Sequence, residues 1–207
     1  MYSNYKTARD NAWRYLIRHK VKELPVDVFA LSRKDKITLV PYSAEEGKEM
    51  AEIIGAAYLM PWTDGFAVQI RGDFLIFWDD SMPLPRQRFT IAHELGHIYN
   101  GDIGIAPTLR NKEPSEKDDP KETAANIFAA RILAPACVLW ALGVQNPETI
   151  AELCAISGEA AKWRWERLKV LYEREKIFME KYGKTCFLMS PLEQKVFKQF
   201  KKYIRSR

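Results

Sequence analysis

Residues 86–101 read RQRFTIAHELGHIYNG, a proline-free stretch that carries two of the chain's three histidines. Asn100 and Gly101 are residues that commonly end helices, so the stretch is predicted to be one α-helix that stops just before them. Residues four apart in a helix lie on the same side. The imidazoles of His93 and His97 are therefore predicted to lie close enough to share one metal ion.

The segment from His93 to His97 matches the pattern H-E-x-x-H, which is typical of catalytic zinc sites. Neutral imidazoles suit zinc, and Glu94 lies next to such an ion rather than on it. From there its carboxylate can take a proton from a water molecule that zinc has acidified. The alternative is a plain polar helix face. It is less favoured because the intervening residues Leu95 and Gly96 are apolar or small, so the polar groups of that turn are the two histidines and Glu94. Glu94 is thus predicted to be the general base.

A catalytic zinc needs a third protein ligand, and no third histidine is suitably placed, because His19 is expected at the surface near the end of the first helix. Glu122 is the best candidate, on the first turn of a helix predicted to begin at Pro120 after the cap Asp119. Asp119 and Glu122 also have the spacing of a capping box, in which Glu122 would bind the Asp119 amide instead. Both interpretations of Glu122 stay open at this point.

Residues 102–119 contain Gly, Pro, Asn and many charges without periodicity, and are predicted to be a mobile surface loop. Glu113, Glu116 and Asp102 are weaker ligand candidates, since loop carboxylates are usually solvated. Asp102 also fits another role, orienting a ligand imidazole, as metal-bound histidines commonly require.

Other patterns predict a small sheet and several helices. Residues 66–70 and 74–78 flank a glycine-containing turn, which predicts a β-hairpin, and the apolar run 37–40 predicts a further strand. Ser43 and Glu46 have capping-box spacing and predict the start of a helix. Apolar periodicity and terminating residues predict helices over residues 5–22, 120–133, 148–155 and 159–182 and after Pro191.

Residues 150–171 have the outline of a helix-turn-helix. Such outlines are common in helical packing, so a packing or partner-binding role is favoured over DNA reading. A partly buried face of the second helix is indicated by four large apolar side chains, Trp163, Trp165, Leu168 and Leu171.

The composition excludes several classes of protein. With 207 residues, 47% of them hydrophobic, the chain has enough apolar material for a folded domain. Its three cysteines are odd in number and lack C-x-x-C spacing, which argues against a disulfide framework and a cysteine zinc site. No signal-peptide or membrane-spanning run is recognised, so a cytoplasmic protein without membrane contact is expected. The net charge of +5 is spread along the chain, so nucleic acid is a less favoured partner than protein.

Two blocks of sequence resemble the ImmA/IrrE metallo-endopeptidases. They are RQRFTIAHELGH at residues 86–97 and ETAANIFAARILAP at residues 122–135, in the order and separation typical of the family, with a shorter match at LPVD, residues 24–27. Members often carry further acidic residues after the third ligand. Here Thr123, Ala124 and Ala125 follow, which leaves Glu122 as the only carboxylate of that helix.

The resemblance implies that zinc is held by His93, His97 and Glu122 and that Glu94 is the general base. It also implies a zincin-like fold, in which an edge strand before the metal helix pairs with extended substrate. A plain structural hairpin is an equally good interpretation of residues 66–78. The family includes peptidases that cleave repressor proteins of phages and mobile elements, which implies a protein substrate inside a bacterial cell.

The sequence therefore predicts an α+β, zincin-like zinc endopeptidase domain over residues 1–146 and a helical C-terminal subdomain over residues 147–207. Its expected substrate is a repressor or other regulator of a phage or mobile element. The alternative is a non-catalytic protein- or DNA-binding regulatory module.

Overall fold

The computed structural model describes residues 2–103, 119–183 and 189–207 of the chain. Most of these residues are helical, and the rest include a small mixed sheet, which confirms the α+β prediction at that level. The helices are α1 (Tyr2–Arg18), α2 (Val28–Lys34), α3 (Glu45–Ile53), α4 (Leu84–Asn100), α5 (Pro120–Leu133), α6 (Ala136–Ala141), α7 (Pro147–Cys154), α8 (Gly158–Tyr182) and α9 (Pro191–Arg205). The strands are β1 (Thr38–Pro41), β2 (Gly65–Ile70) and β3 (Asp73–Trp78), and a 3₁₀ helix spans Ala57–Trp62.

The described chain forms two compact units. One comprises Met1–Asn11 and Asp27–Ala129, and the other Ala12–Val26 and Ala130–Arg207. Compact units need not coincide with folding domains, so the predicted domain boundary after residue 146 stays a prediction. The predicted loop lies almost entirely outside the described residues, together with Glu113 and Glu116.

The sheet of the first unit has the strand order β1-β3-β2. Strands β2 and β3 pair antiparallel, from Gly65 opposite Trp78 to Ile70 opposite Asp73, which confirms the predicted hairpin. Strand β1 adds to β3 in parallel. Strand β2 therefore forms an edge of the sheet.

The hairpin turn requires left-handed backbone at both of its central residues. Arg71 has φ of 52° and Gly72 has φ of 95°. Positive φ at both positions is typical of a type I′ turn, whose twist matches that of the flanking strands. The tight turn fixes the register that brings Gly65, at the start of β2, beside the end of β3.

Helix α4 lies against this sheet at a glycine. A Cβ atom on Gly65 would clash with Cγ2 of Thr90 on α4 and would lie 2.7 Å from the carbonyl oxygen of Phe77. On the sheet, the rings of Phe66 and Phe77 stack with centroids 4.8 Å apart. The missing side chain at residue 65 thus lets the metal-motif helix approach the sheet closely.

Several local predictions need correction. Helix α4 begins at Leu84, two residues before the predicted start, because Pro85 lies in the first turn, where no intrahelical N–H is needed. The predicted capping box is wrong. The N-cap of α3 is Ala44, whereas Ser43 donates its hydroxyl and backbone N–H to the carboxylate of Asp80, at 2.5 and 3.0 Å.

The second unit is helical, as predicted for the C-terminal region. Asn146 and Ser157 cap α7 and α8 by accepting hydrogen bonds from Thr149 N and Ala160 N. Leu168 is buried, at 1% exposure, but Trp163 is 72% exposed, so its predicted burial is wrong. The side chain points away from the face of α8 that carries Leu168.

One described helical stretch, Pro120–Ala141, is long and apolar enough to cross a membrane by length and composition. It comprises α5 and α6, and most of it is buried inside the structure. A core helix of a folded protein meets the same criteria, so the stretch is weak support for a membrane span. The predicted cytoplasmic location stays a prediction.

Candidate metal centre

Helix α4 buries polar side chains that are usually exposed. Glu94 is only 6% exposed and His97 only 1%, while the apolar residues Ile91 and Leu95 of the same helix are fully buried. The helix ends, as predicted, at Gly101, which has left-handed backbone with φ of 77° and donates its N–H to the carbonyl of His97. Buried ionisable groups are costly unless partnered, so these side chains need partners from another element.

Helix α5 supplies those partners because it approaches α4 very closely. A Cβ atom on Gly96 would lie 2.9 Å from Cα and 3.0 Å from the carbonyl oxygen of Ala125, and 3.2 Å from Cβ of Phe128. Ala125 is itself fully buried. Two small residues at the helix crossing therefore bring the first turn of α5 within reach of the histidines on α4.

Three potential ligand residues converge at this crossing. The Nε2 atoms of His93 and His97 lie 3.0 Å apart. Glu122 places Oε2 3.0 Å from the first and Oε1 3.1 Å from the second. Ligands about 2.1 Å from one tetrahedral zinc ion are roughly 3.4 Å from each other. The three residues therefore form a group that could hold a metal ion, and both carboxylate oxygens of Glu122 lie against the histidines.

The far ring nitrogens of the histidines face oxygen acceptors. His93 Nδ1 lies 2.9 Å from Oδ1 of Asn126, and His97 Nδ1 lies 3.5 Å from Oδ2 of Asp102, longer than an ordinary hydrogen bond. An acceptor at Nδ1 favours the tautomer with the proton on that nitrogen. The Nε2 lone pairs are then directed toward Glu122 and toward each other.

The electrostatics of the group demand a positive charge between its members. Burial would lower the pKa of His93, but its hydrogen bond with Glu122 and the carboxylates of Glu94 and Glu122 raise that pKa above its ordinary value. Burial would raise the pKa of Glu122, but hydrogen bonds to the two histidines hold that pKa far below its usual range. Two lone pairs and a carboxylate at 3 Å repel one another unless a proton or a metal ion lies among them. The donor set of two nitrogens and one oxygen fits a divalent metal.

The group lies in an open cleft of about 430 Å³. Glu94 lines it beside the three converging residues. Arg86 and Asp64 form an ion pair at its wall, in which both Nε and Nη2 of the arginine contact one carboxylate oxygen. The remaining lining residues are Leu59, Trp62, Thr63, Gly65, Phe66, Phe89, Thr90 and Asn126.

Three side chains could donate a hydrogen bond to an oxyanion, those of Tyr58, Tyr99 and Arg131, but they lie elsewhere or have other partners. Tyr99 donates its hydroxyl to Oδ2 of Asp35 at 2.8 Å, and neither Tyr58 nor Arg131 lines the cleft. His19 directly follows α1, near the end of the first helix as predicted, and is half-buried beside the ring of Tyr15, with centroids 4.4 Å apart. No oxyanion donor is assigned from these side chains.

Sequence reasoning missed Asn126 and the ion pair of Arg86 and Asp64. Asn126 could have been found, because it follows Glu122 by four residues and so shares its face of α5. The ion pair joins residues 22 apart on different elements, and no local pattern indicates it.

Comparison with known families adds one match. The model of the IrrE N-terminal-like domain, a peptidase family, matches residues 63–166, just over half of the chain. No curated protein matches. The matched segment includes β2, β3, α4 and α5, and with them all four predicted site residues. The resemblance seen in the two sequence blocks is thereby confirmed.

Proposed function

The chain belongs to the peptidase family of the IrrE N-terminal-like domain, and we propose that it is a zinc-dependent endopeptidase of zincin-like fold. The observation that carries the proposal is the convergence of His93, His97 and Glu122 on one point of an open cleft. In the proposed site these three residues bind zinc, and Glu94 is the general base.

Zinc is supported by the donor set and by the openness of the site. Two imidazoles and one carboxylate are a common set of protein ligands for catalytic zinc, and they leave a coordination position for water or substrate. When bound, zinc acts as a Lewis acid that polarises the peptide carbonyl and acidifies water. Asn126 contributes by holding the proton of His93 on Nδ1, which keeps Nε2 available as a ligand.

Glu94 follows His93 directly and therefore lies beside the proposed ligands without joining them. Its carboxylate lines the cleft and is largely shielded from solvent. There it takes a proton from the attacking water and delivers it to the amine that leaves when the peptide bond breaks. Loss of that proton transfer should reduce hydrolysis without removing the metal.

An extended peptide is the substrate form that the cleft fits best. Gly65 and Phe66, at the start of edge strand β2, line the cleft, and an edge strand can bind a peptide through backbone hydrogen bonds. The charges of Arg86 and Asp64 neutralise each other. Trp62, which is 69% exposed, and Phe89 offer aromatic surface. A large apolar side chain near the scissile bond is therefore favoured.

A regulatory protein, such as a repressor of a phage or mobile element, is the proposed natural substrate, and the cytoplasm of a bacterium is the proposed location. Resemblance to the ImmA/IrrE peptidases supports both. The rival function is a module that binds protein or DNA without cleaving it.

Cleavage of a mixed peptide library, followed by mass spectrometry, tests the proposed function. We expect the zinc-loaded protein to cut peptides next to large apolar residues. Glu94→Gln should reduce the rate by about 10²–10⁴-fold while keeping the metal and the fold, because only the proton transfer is lost. Glu49→Gln, the same change at an exposed position of α3, is the matched control and should cut like the wild type.

Two results would contradict the peptidase proposal. One is a zinc-loaded, folded wild type that cuts no peptide and no candidate regulator. The other is cleavage that continues unchanged in Glu94→Gln. The rival module, in contrast, predicts that partner binding survives this substitution.

A further inference from the structure

Helix α8 exposes a row of large apolar side chains. Trp163, Val170 and Ile177 are 72, 41 and 63% exposed. They are spaced by seven residues, which is close to two helical turns, so they form a single ridge along the helix. The opposite face of α8 carries the buried residue Leu168 and packs within its own unit.

Charges of opposite sign border the ridge on its two sides. A glutamate follows each ridge residue by three positions, and a basic residue follows it by four. These positions lie about 60° to one side of the ridge and about 40° to the other, and a lysine one position before each ridge residue lies about 100° round on the glutamate side. All six charged residues are exposed: Glu166, Glu173, Glu180, Arg167, Arg174 and Lys181.

A solvated helix face accounts for the charges but not for the ridge. Salt bridges within a helix are common on such faces, and Glu166 makes one with Lys169 at 2.7 Å. Single exposed apolar residues are also ordinary. Three large ones at a constant seven-residue spacing, with the same charge order repeated beside each, share the period of paired helices, with glutamates at the i+3 positions where a coiled-coil seam is apolar.

We propose that this ridge is a contact between two copies of the chain, with their α8 helices paired in parallel. In a parallel two-fold pair, the acidic side of each ridge faces the basic side of the other. In an antiparallel pair, acidic would face acidic and basic would face basic. Charge complementarity therefore selects a second copy in the parallel orientation as the occupant of the ridge.

The parallel pair places equivalent residues opposite each other. Val170 meets its own copy and Ile177 meets its own copy, while Glu173 faces Arg174 of the partner copy. The ridge is about 21 Å long, since fourteen residues separate its ends at about 1.5 Å each. An interface of this length and one residue in width is small, so the dimer is weak and forms reversibly.

Sedimentation equilibrium of the full chain, at concentrations from about 1 to 100 µM, measures this association. We expect a monomer–dimer equilibrium in the wild type. The double variant Trp163→Ser, Ile177→Ser should dissociate at least about tenfold more readily, because it removes most of the apolar surface of the ridge. Ile53→Ser changes an 86% exposed residue of the first unit and is the matched control.

A charge exchange tests the parallel geometry. Glu173→Arg alone puts like charges opposite each other and should weaken the dimer several-fold. Adding Arg174→Glu restores opposite charges across the pair and should restore association. Both variants change exposed residues, and circular dichroism checks that their helical content is unchanged.

Oxidative cross-linking distinguishes the two orientations. Ile177→Cys, in a Cys186→Ser background, should form a disulfide-linked dimer if the helices are parallel. In a parallel pair each residue lies opposite its own copy along the whole ridge. In an antiparallel pair only the residues at the centre of the ridge do so, and Ile177 is at its end. Cys137 and Cys154 are buried and should not react. A wild type that stays monomeric throughout the concentration range would overturn the proposal, as would a dimer that all of the ridge variants leave unchanged.

Discussion

Apolar side chains are usually buried and ionisable ones exposed, and helices α4 and α8 depart from this pattern in opposite ways. Helix α4 buries a glutamate and a histidine, Glu94 and His97, whereas α8 exposes a tryptophan and an isoleucine, Trp163 and Ile177. Burying ionisable groups is costly, and exposing large apolar ones loses the stabilisation that their burial would provide. The two proposals account for these arrangements by a zinc ion at α4 and a second copy of the chain at α8.

The two helices differ in how their unusual residues are partnered. On α4 the imidazoles meet Glu122 and Asn126 of α5, and His93, His97 and Glu122 form a group that could hold a metal ion. The ridge side chains of α8 are instead exposed, and its repeating charges are suited to another helix. A buried polar group therefore points to chemistry, and an exposed apolar ridge points to association.

The largest expected effect is on stability and separates the two faces of α8. Leu168→Ala should lower the free energy of unfolding by about 2–5 kcal/mol, because it leaves a cavity at a fully buried position. Ile177→Ala, on the exposed ridge, should change it by less than about 0.5 kcal/mol. Urea unfolding of both variants below the dimer concentration range provides the comparison. Equal losses in the two variants would contradict the assignment of the faces.

A smaller loss of stability is expected at the crossing of α4 and α5. Gly96→Ala adds a Cβ atom within about 3 Å of Ala125, and such overpacking typically costs about 1–3 kcal/mol. It should also weaken zinc binding, because Glu122 moves away from the histidines as the helices separate. Gly158→Ala is the control, since a Cβ atom there has no neighbour within 4 Å. If Gly96→Ala binds zinc as tightly as the wild type, close approach is not what assembles the site.

The smallest expected effect concerns the hydrogen bond behind His93. Asn126→Ala removes the acceptor at Nδ1, and loss of such a contact typically weakens metal binding by 10–100-fold. Asn126→Asp keeps an acceptor and should retain most of the affinity. Competition with a chromophoric chelator measures both variants. A purely structural role of Asn126 predicts a loss of stability with unchanged zinc affinity.

Local sequence patterns predicted the elements that local interactions determine. The hairpin of β2 and β3, helix α4 and the capped helices α5, α7 and α8 have turn residues, caps or periodicity within their own sequences. Local patterns also predicted the part of the candidate site that lies on one helix, because His93 and His97 are only four residues apart. Glu122 lies on a different helix, α5, so no local pattern could fix its role. The structure places it beside the histidines.

Features that depend on distant contacts were not predicted. The parallel pairing of β1 with β3 joins residues 37 apart, and Ser43 binds Asp80 instead of capping α3. Helix α2 has only seven residues, too few to show apolar periodicity, although Asp27 caps it by accepting from Ala30 N. Exposure of Trp163 was missed because periodicity groups apolar residues without telling which face of a helix is buried.

The central claim, that His93, His97 and Glu122 together hold one zinc ion, is tested most directly by zinc content. Elemental analysis of the purified wild type should give close to one zinc per chain, and His93→Ala and Glu122→Ala should lose it while Glu49→Gln keeps it. A folded wild type that takes up no zinc even when the metal is supplied would contradict the claim, as would a Glu122→Ala variant that retains full occupancy.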